Sequence, residues 1–246
     1  MTLTKDDIIN VLNTARPVSI VRAGDGEKIV LESNNSIESY QLCIQSVMKR
    51  QMGYEPTMSE VEAIRQNLIS AYNSADIIGL PMQKNLADLN KHWKGVADTV
   101  KPHATTNKTC SIDIFYDMLY DGSLLEWFKD KPVINYISCR KIPFERLLVK
   151  QVNHFQIAPE VKFTSYTGEH HYPDQFNRIE RWMDKCAIEG HVCLVGAGVI
   201  GKIYCNWFRD RGGIALDLGA VFDLMAGFAT RGPLRGLDVK NETYKL

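Results

Sequence analysis

The tightest constraint on this chain is an alternation of short apolar runs with stretches in which apolar residues recur at helical spacing. Segments 18–21, 76–81, 132–137, 191–195 and 214–217 each read as a buried strand bounded by turn residues or charge. The first helix is expected to start at Thr4, whose side chain can cap it, with Asp6 and Asp7 in the first turn and Pro17 as the stop. Segment 60–73 puts Val61, Ile64, Leu68 and Ala71 on one face. Helical spacing recurs over 86–96, 112–125, 144–149, 174–187 and 199–211, and Gly212-Gly213 ends the last of these. Residues 28–59 read largely as a polar connection. Strands alternating with helices predict an α/β fold, a mainly parallel sheet with helices on both faces. Ligands of such sheets bind beyond the carboxyl ends of the strands. That rule singles out 22–27, 79–83, 138–141, 196–202 and 217–223.

A chain of 246 residues with 45% hydrophobic content can bury a sizeable core, and no Pro, Gly or Ser-rich linker divides it. One domain over 1–246 is expected. Lys plus Arg (29) equals Asp plus Glu (29), so no net field favours a polyanion. A local basic patch is still available where Arg231, Arg235, Lys240 and Lys245 follow Arg209 and Arg211. No basic-then-apolar leader opens the chain, and no apolar run approaches the roughly 20 residues of a membrane span. The six cysteines contain no C-x-x-C pair and read as reduced core thiols. A cytoplasmic protein is expected, in a bacterium or a phage-infected host, of undetermined oligomeric state.

Two glycine-rich segments carry the chemistry. In Arg22-Ala23-Gly24-Asp25-Gly26-Glu27 two carboxylates flank one glycine on what reads as an exposed strand-end loop. Asp25 and Glu27 can then reach one divalent cation, Mn²⁺ or Mg²⁺, which neutralises a nucleotide diphosphate. Gly24 and Gly26 permit close backbone approach, and Arg22 offers a forked donor for phosphate. A solvated acidic turn is the plainer reading. On such a loop Asp25→Asn and Glu27→Gln are expected to leave the fold intact.

Gly196-Ala197-Gly198-Val199-Ile200-Gly201 matches G-x-G-x-x-G between a strand and a helix, with Lys202 just inside the helix and Asp217 closing the next strand. Free N–H groups at such a turn attract phosphate. A turn using Gly196, Gly198 and Gly201 for packing alone is the alternative. A nicotinamide-dependent oxidoreductase and a non-catalytic nucleotide-binding protein stay open beside a transferase. Asp217 or His171, in the loop His170-His171, can serve as an acceptor-activating base, although a surface pair is the simpler account of the histidines. Asp223 reads as a second acid or as a helix-start residue. Ser138-Cys139-Arg140-Lys141 reads as a phosphate contact or a solvated turn. Trp93, Trp127, Trp182 and Trp207 read as core or sugar-stacking aromatics.

R-x-G-D-G-E after an N-terminal strand, a later G-x-G-x-x-G-K helix and a G-G-x-x-x-L-D-L-G strand together resemble the GT-D glycosyltransferase family. The resemblance implies a single Rossmann-like (GT-D-like) domain with a D-x-E metal motif at Asp25 and Glu27. It also implies transfer of a sugar, UDP-linked, to a hydroxyl acceptor. Arg22, Gly24, Gly26, Gly196, Gly198, Gly201 and Lys202 fall at donor-binding positions. Ala23 stands where bacterial members commonly carry an aromatic. The resemblance allows two acceptors, a glycan or glycoprotein, and a hydroxymethylated base of phage DNA.

Overall fold

A computed structural model describes residues 1–82, 93–129, 131–160, 168–186 and 188–228. Seven strands form one sheet: β1 (Val18–Arg22), β2 (Ile77–Leu80), β3 (Thr109–Ser111), β4 (Val133–Ser138), β5 (Gln151–Gln156), β6 (Val192–Gly196) and β7 (Ile214–Asp217). Their order is β3-β2-β1-β7-β6-β4-β5, and every pairing is parallel. Strands β1, β7, β6 and β4 are buried almost throughout. A strand covered on both faces has no side to leave to solvent, which is why these four are mostly apolar, with Ser19, Asn135, Ser138 and Asp217 buried among the apolar residues.

Helices Met58–Ser74, Phe176–Met183 and Gly201–Asp210 cover one face, burying Leu68, Ile179, Ile203 and Phe208. Helices Lys5–Asn13, Ile114–Tyr120, Ser123–Phe128 and Val221–Met225 cover the other with Ile8, Leu12, Phe115, Phe128 and Phe222. Each such side chain contributes roughly 1.5–3 kcal/mol of burial. Helix starts follow local chemistry. Thr4 and Asp7 form a capping box, as do Thr57 and Glu60.

The link from β4 to β5 carries Phe144, which packs on the second face, whereas the helix linking β6 to β7 packs on the first. Because β4 and β6 are neighbours, the chain leaves their carboxyl ends, at 138–141 and 196–198, toward opposite faces, which is the switch point where such sheets bind ligands.

The structure departs from the sequence reading in several places. Strands β3 and β5 lie at the two edges of the sheet and were not expected. The polar connection holds a helix at Asp25–Leu31, another at Ile37–Cys43 and a π-helical stretch at Ile44–Met52. The helix expected over 112–125 breaks in two at Gly122, whose φ of 81° suits glycine. The helix expected over 174–187 is regular only at Phe176–Met183, and the stretch His171–Gln175 that leads into it is kinked, with Tyr172 extended at φ −122° and ψ 135°. Most of the helix expected over 86–96, and the cations Arg231, Arg235, Lys240 and Lys245, lie outside the described residues. All six cysteines are free thiols, and Cys43, Cys110, Cys193 and Cys205 are buried. Trp127 is buried, and Trp182 and Trp207 pack half-buried against the core. Among the described residues no helix is long and apolar enough to cross a membrane.

Candidate active site

The two glycine-rich segments meet because β1 and β6 both lie against β7. At that junction Asp25 and Glu27 part company. Asp25 begins the helix Asp25–Leu31 and is exposed, with one carboxylate oxygen accepting from the Gly26 N–H at 3.0 Å. Glu27 lies two residues further, inside the first turn, and is buried. Its Oε2 accepts from the Gly24 N–H at 2.8 Å, satisfying a donor that would otherwise be an orphan at the helix start. Its Oε1 lies 2.6 Å from Nζ of Lys202. The expected exposed pair of carboxylates is therefore one exposed group and one committed group.

Lys202 is buried and also lies 3.0 Å from Asp217 Oδ2, while donating to the Gly198 carbonyl at 3.0 Å. Burial pulls its pKa down, but the Asp217 and Glu27 carboxylates outweigh that and hold it above its ordinary value. The ammonium is thus a fixed internal cation and not the donor contact that the resemblance implies. Asp217 is fully buried. Its Oδ2 also accepts from the Arg22 backbone N–H at 3.1 Å, and its Oδ1 has no hydrogen-bond partner.

Arg22 ends β1 with its guanidinium turned inward. It donates to the Leu218 carbonyl at 2.8 Å and the Ile112 carbonyl at 3.3 Å, joining the ends of β1 and β7 to the segment after β3. Its carbonyl accepts from the buried Tyr72 hydroxyl at 3.2 Å. Two cations and two anions, Arg22, Lys202, Glu27 and Asp217, thus form one neutral buried cluster. The ion pairs cross-brace segments far apart in sequence, and each buried charge has its counter-charge. Gly219 makes room for this arrangement: its φ is 52°, and a Cβ there would run into the Arg22 guanidinium. The sequence reading matched Gly219 only as the last residue of the L-D-L-G block, without this role, and it missed Tyr72, which carried no local signal.

The glycines of the second segment divide by role. A Cβ at Gly196 would meet the Phe222 ring at 2.5 Å, and one at Gly201 would meet Val195 at 3.1 Å, so both serve packing. Gly198 has φ 57° and faces the Gln51 side chain, and Gly26 faces Gln51 and Val199. These two glycines line the seam between the segments.

His171 is not on the surface. It is buried, with Nε2 2.9 Å from the Tyr204 hydroxyl, and burial pushes its pKa down to about 4. As placed, His171 and Asp217 are both shut from solvent, so neither presents a base to an acceptor hydroxyl. After β4, Arg140 pairs with Asp223 at 2.7 Å and lies over the Phe228 ring at 4.3 Å. Asp223 sits in the first turn of its helix, the second of the two roles expected for it. A cleft of about 430 Å³ opens elsewhere, beside β2 and β3, between Met1, Leu80, Lys101 and Thr109, and holds none of these groups.

An all-parallel sheet whose carboxyl edge gathers an exposed carboxylate, two glycine turns and a braced charge cluster defines an α/β domain of the class that binds ligands beyond its strand ends. The family model for the GT-D fold-like domain matches residues 4–225, and the chain belongs to that GT-D-like family of glycosyltransferase fold. A glycosyltransferase from Streptococcus sanguinis, built on domain of unknown function 1792, is similar in structure: 15% identity, TM-score 0.60, covering 90% of this chain and 82% of that one. A second structure, described as that same domain with a distinct glycosyltransferase fold, aligns at 13% identity and TM-score 0.58, covering 90% of this chain and 79% of that one. Comparison with curated protein sequences found no match.

Proposed function

We propose that this glycosyltransferase-fold chain moves a sugar from a UDP-linked donor to a hydroxyl acceptor, with Asp25 as the carboxylate that meets a divalent cation. The carrying observation is the contrast within Asp25-Gly26-Glu27. One carboxylate is exposed at the carboxyl end of β1, and its neighbour is clamped between the Gly24 N–H and Lys202. Mn²⁺ or Mg²⁺ fits this arrangement through Asp25 alone. Glu27 already spends both oxygens, and among the described residues no three His, Cys, Asp or Glu side chains converge. Such ions are commonly held by one carboxylate plus substrate phosphates. When bound, the cation offsets charge on the departing diphosphate.

The chain's own groups hold the rest. Glu27, fixed by Lys202, sets the first turn of the Asp25 helix and so the direction of the Asp25 carboxylate. Gly26 and Gly198 leave the backbone bare on either side of the seam, where phosphate oxygens can approach N–H groups. The nicotinamide alternative needs an acid at the end of the next strand for the ribose hydroxyls, and Asp217 at that place is buried and paired with Lys202. The acceptor is a hydroxyl of a glycan or glycoprotein, or of a hydroxymethylated DNA base, and the neutral composition favours the glycan.

Thermal-shift measurements with UDP, UDP-sugars and NADH, each with and without Mn²⁺, test the donor, since ligands of the native state raise its melting temperature. UDP should stabilise the protein more with metal than without. Stabilisation by NADH and not by UDP would overturn the reading. Incubation with UDP-sugars and hydroxymethylcytosine DNA, followed by mass analysis of the nucleosides, tests the acceptor. A mass gain on the base assigns DNA as the acceptor.

A further inference from the structure

We infer that Gln51 is a donor-specificity residue that reads a hydroxyl of the transferred sugar, an inference that rests on the donor reading above. Gln51 stands near the end of the π-helical stretch Ile44–Met52, which Gly53 ends with φ 68°. Val47, Met48 and Met52 are buried and anchor the stretch in the core, while Gln51 remains half-buried. A Cβ added to Gly26 would lie 3.3 Å from Gln51 Nε2, and one added to Gly198 would lie 3.2 Å from Gln51 Oε1. The amide therefore lies across the seam where the two glycine-rich segments meet. Asp25, the exposed carboxylate, is the residue immediately before Gly26.

Among the described residues the Gln51 amide makes no hydrogen bond, although it carries two donors and a carbonyl acceptor. Neither amide atom is among those buried without a partner, so both reach solvent and are open to a ligand. Its chemistry also selects the ligand group. Phosphate oxygens only accept at neutral pH, so N–H groups and cations suffice for them. A sugar hydroxyl both donates and accepts, and a side-chain amide answers both at once. π-Helical insertions are frequent at functional sites because they re-aim a side chain out of the α-helical register. Beside a diphosphate held near Asp25 and Gly198, the hydroxyls within reach belong to the sugar or to the ribose. The sugar is the assignment made here, and the two are separable by experiment.

The test is calorimetric titration, in Mn²⁺, of UDP alone and of UDP-glucose, UDP-galactose, UDP-xylose and UDP-N-acetylglucosamine. The proteins are the wild type, Gln51→Ala and the neutral, similar-sized Gln51→Met, each with its melting curve. Gln51→Ala should bind UDP within about twofold of wild type but lose about tenfold for the preferred UDP-sugar, the effect of one lost hydrogen bond. Its ranking of the sugars should flatten. Gln51→Met, which keeps the side-chain volume without a donor or a charge, should show the same pattern, and it serves if the alanine variant fails to fold. Equal losses for UDP and UDP-sugar would transfer the contact to ribose or phosphate and overturn the assignment. Unchanged affinity for both would reduce Gln51 to packing. A wild type that binds none of these ligands would instead overturn the donor reading, and this inference with it.

Discussion

Lys202 Nζ lies 2.6 Å from Glu27 Oε1, so the glycine turn after β6 and the acidic motif after β1 are locked together by one buried ion pair. The same ammonium lies 3.0 Å from Asp217. Replacing Lys202 with Met strands two buried carboxylates and should cost about 3–5 kcal/mol in urea unfolding. Adding Glu27→Gln to that variant should recover part of the loss, because one stranded charge is removed. A Lys202→Met protein as stable as wild type would refute the brace.

Asp25 and Glu27 should separate in a way that an exposed D-x-E loop would not allow. Asp25→Asn should change stability by less than about 0.5 kcal/mol, as surface substitutions do. Its transfer rate should fall on the order of 100-fold. Glu27→Gln should lower stability by about 1–3 kcal/mol, because a buried charged acceptor is lost from both Gly24 and Lys202. Denaturant melts and turnover assays on the two variants decide the point, and equal stability of the two would contradict it.

Gly219→Ala should destabilise the fold by roughly 1–3 kcal/mol, since a Cβ there meets both an unfavourable positive φ and the Arg22 guanidinium. Gly122 also has positive φ, but a Cβ there meets nothing within 4 Å. Gly122→Ala should therefore cost less, and equal costs in a urea melt would show that the Arg22 collision is relieved cheaply.

His171 supplies a pH dependence. Burial holds its folded-state pKa at about 4, below the ordinary value of 6.5. Between those values the unfolded chain binds more protons, so stability should be full above about pH 6.5 and fall as the pH drops toward 4. The contribution is on the order of 3 kcal/mol across that window. His171→Gln, which can still bond Tyr204, should flatten the stability–pH curve there, as urea melts at several pH values would record.

The amino-acid sequence by itself determined the strands that became the centre of the sheet. β1, β4, β6 and β7 are buried on both faces, so apolar residues dominate each of them and few polar ones interrupt the run. β3 (Thr109–Ser111) and β5 (Gln151–Gln156) are edge strands, half-exposed and rich in polar residues, and only pairing with β2 and β4 makes them strands. The same division runs through the site. Asp25, Glu27, Gly198, Lys202 and Asp217 were legible as residues that carry chemistry, because glycine turns and carboxylates at strand ends are local patterns. Which of them faces solvent was decided elsewhere. Lys202 reaches Glu27 and Asp217 only because β7 lies between β1 and β6, and Gln51 reaches the seam only because Met48 and Met52 anchor a π-helical stretch beside it. Coulomb attraction and burial act through space, and the partner of a buried charge need not leave any trace within a few residues of it.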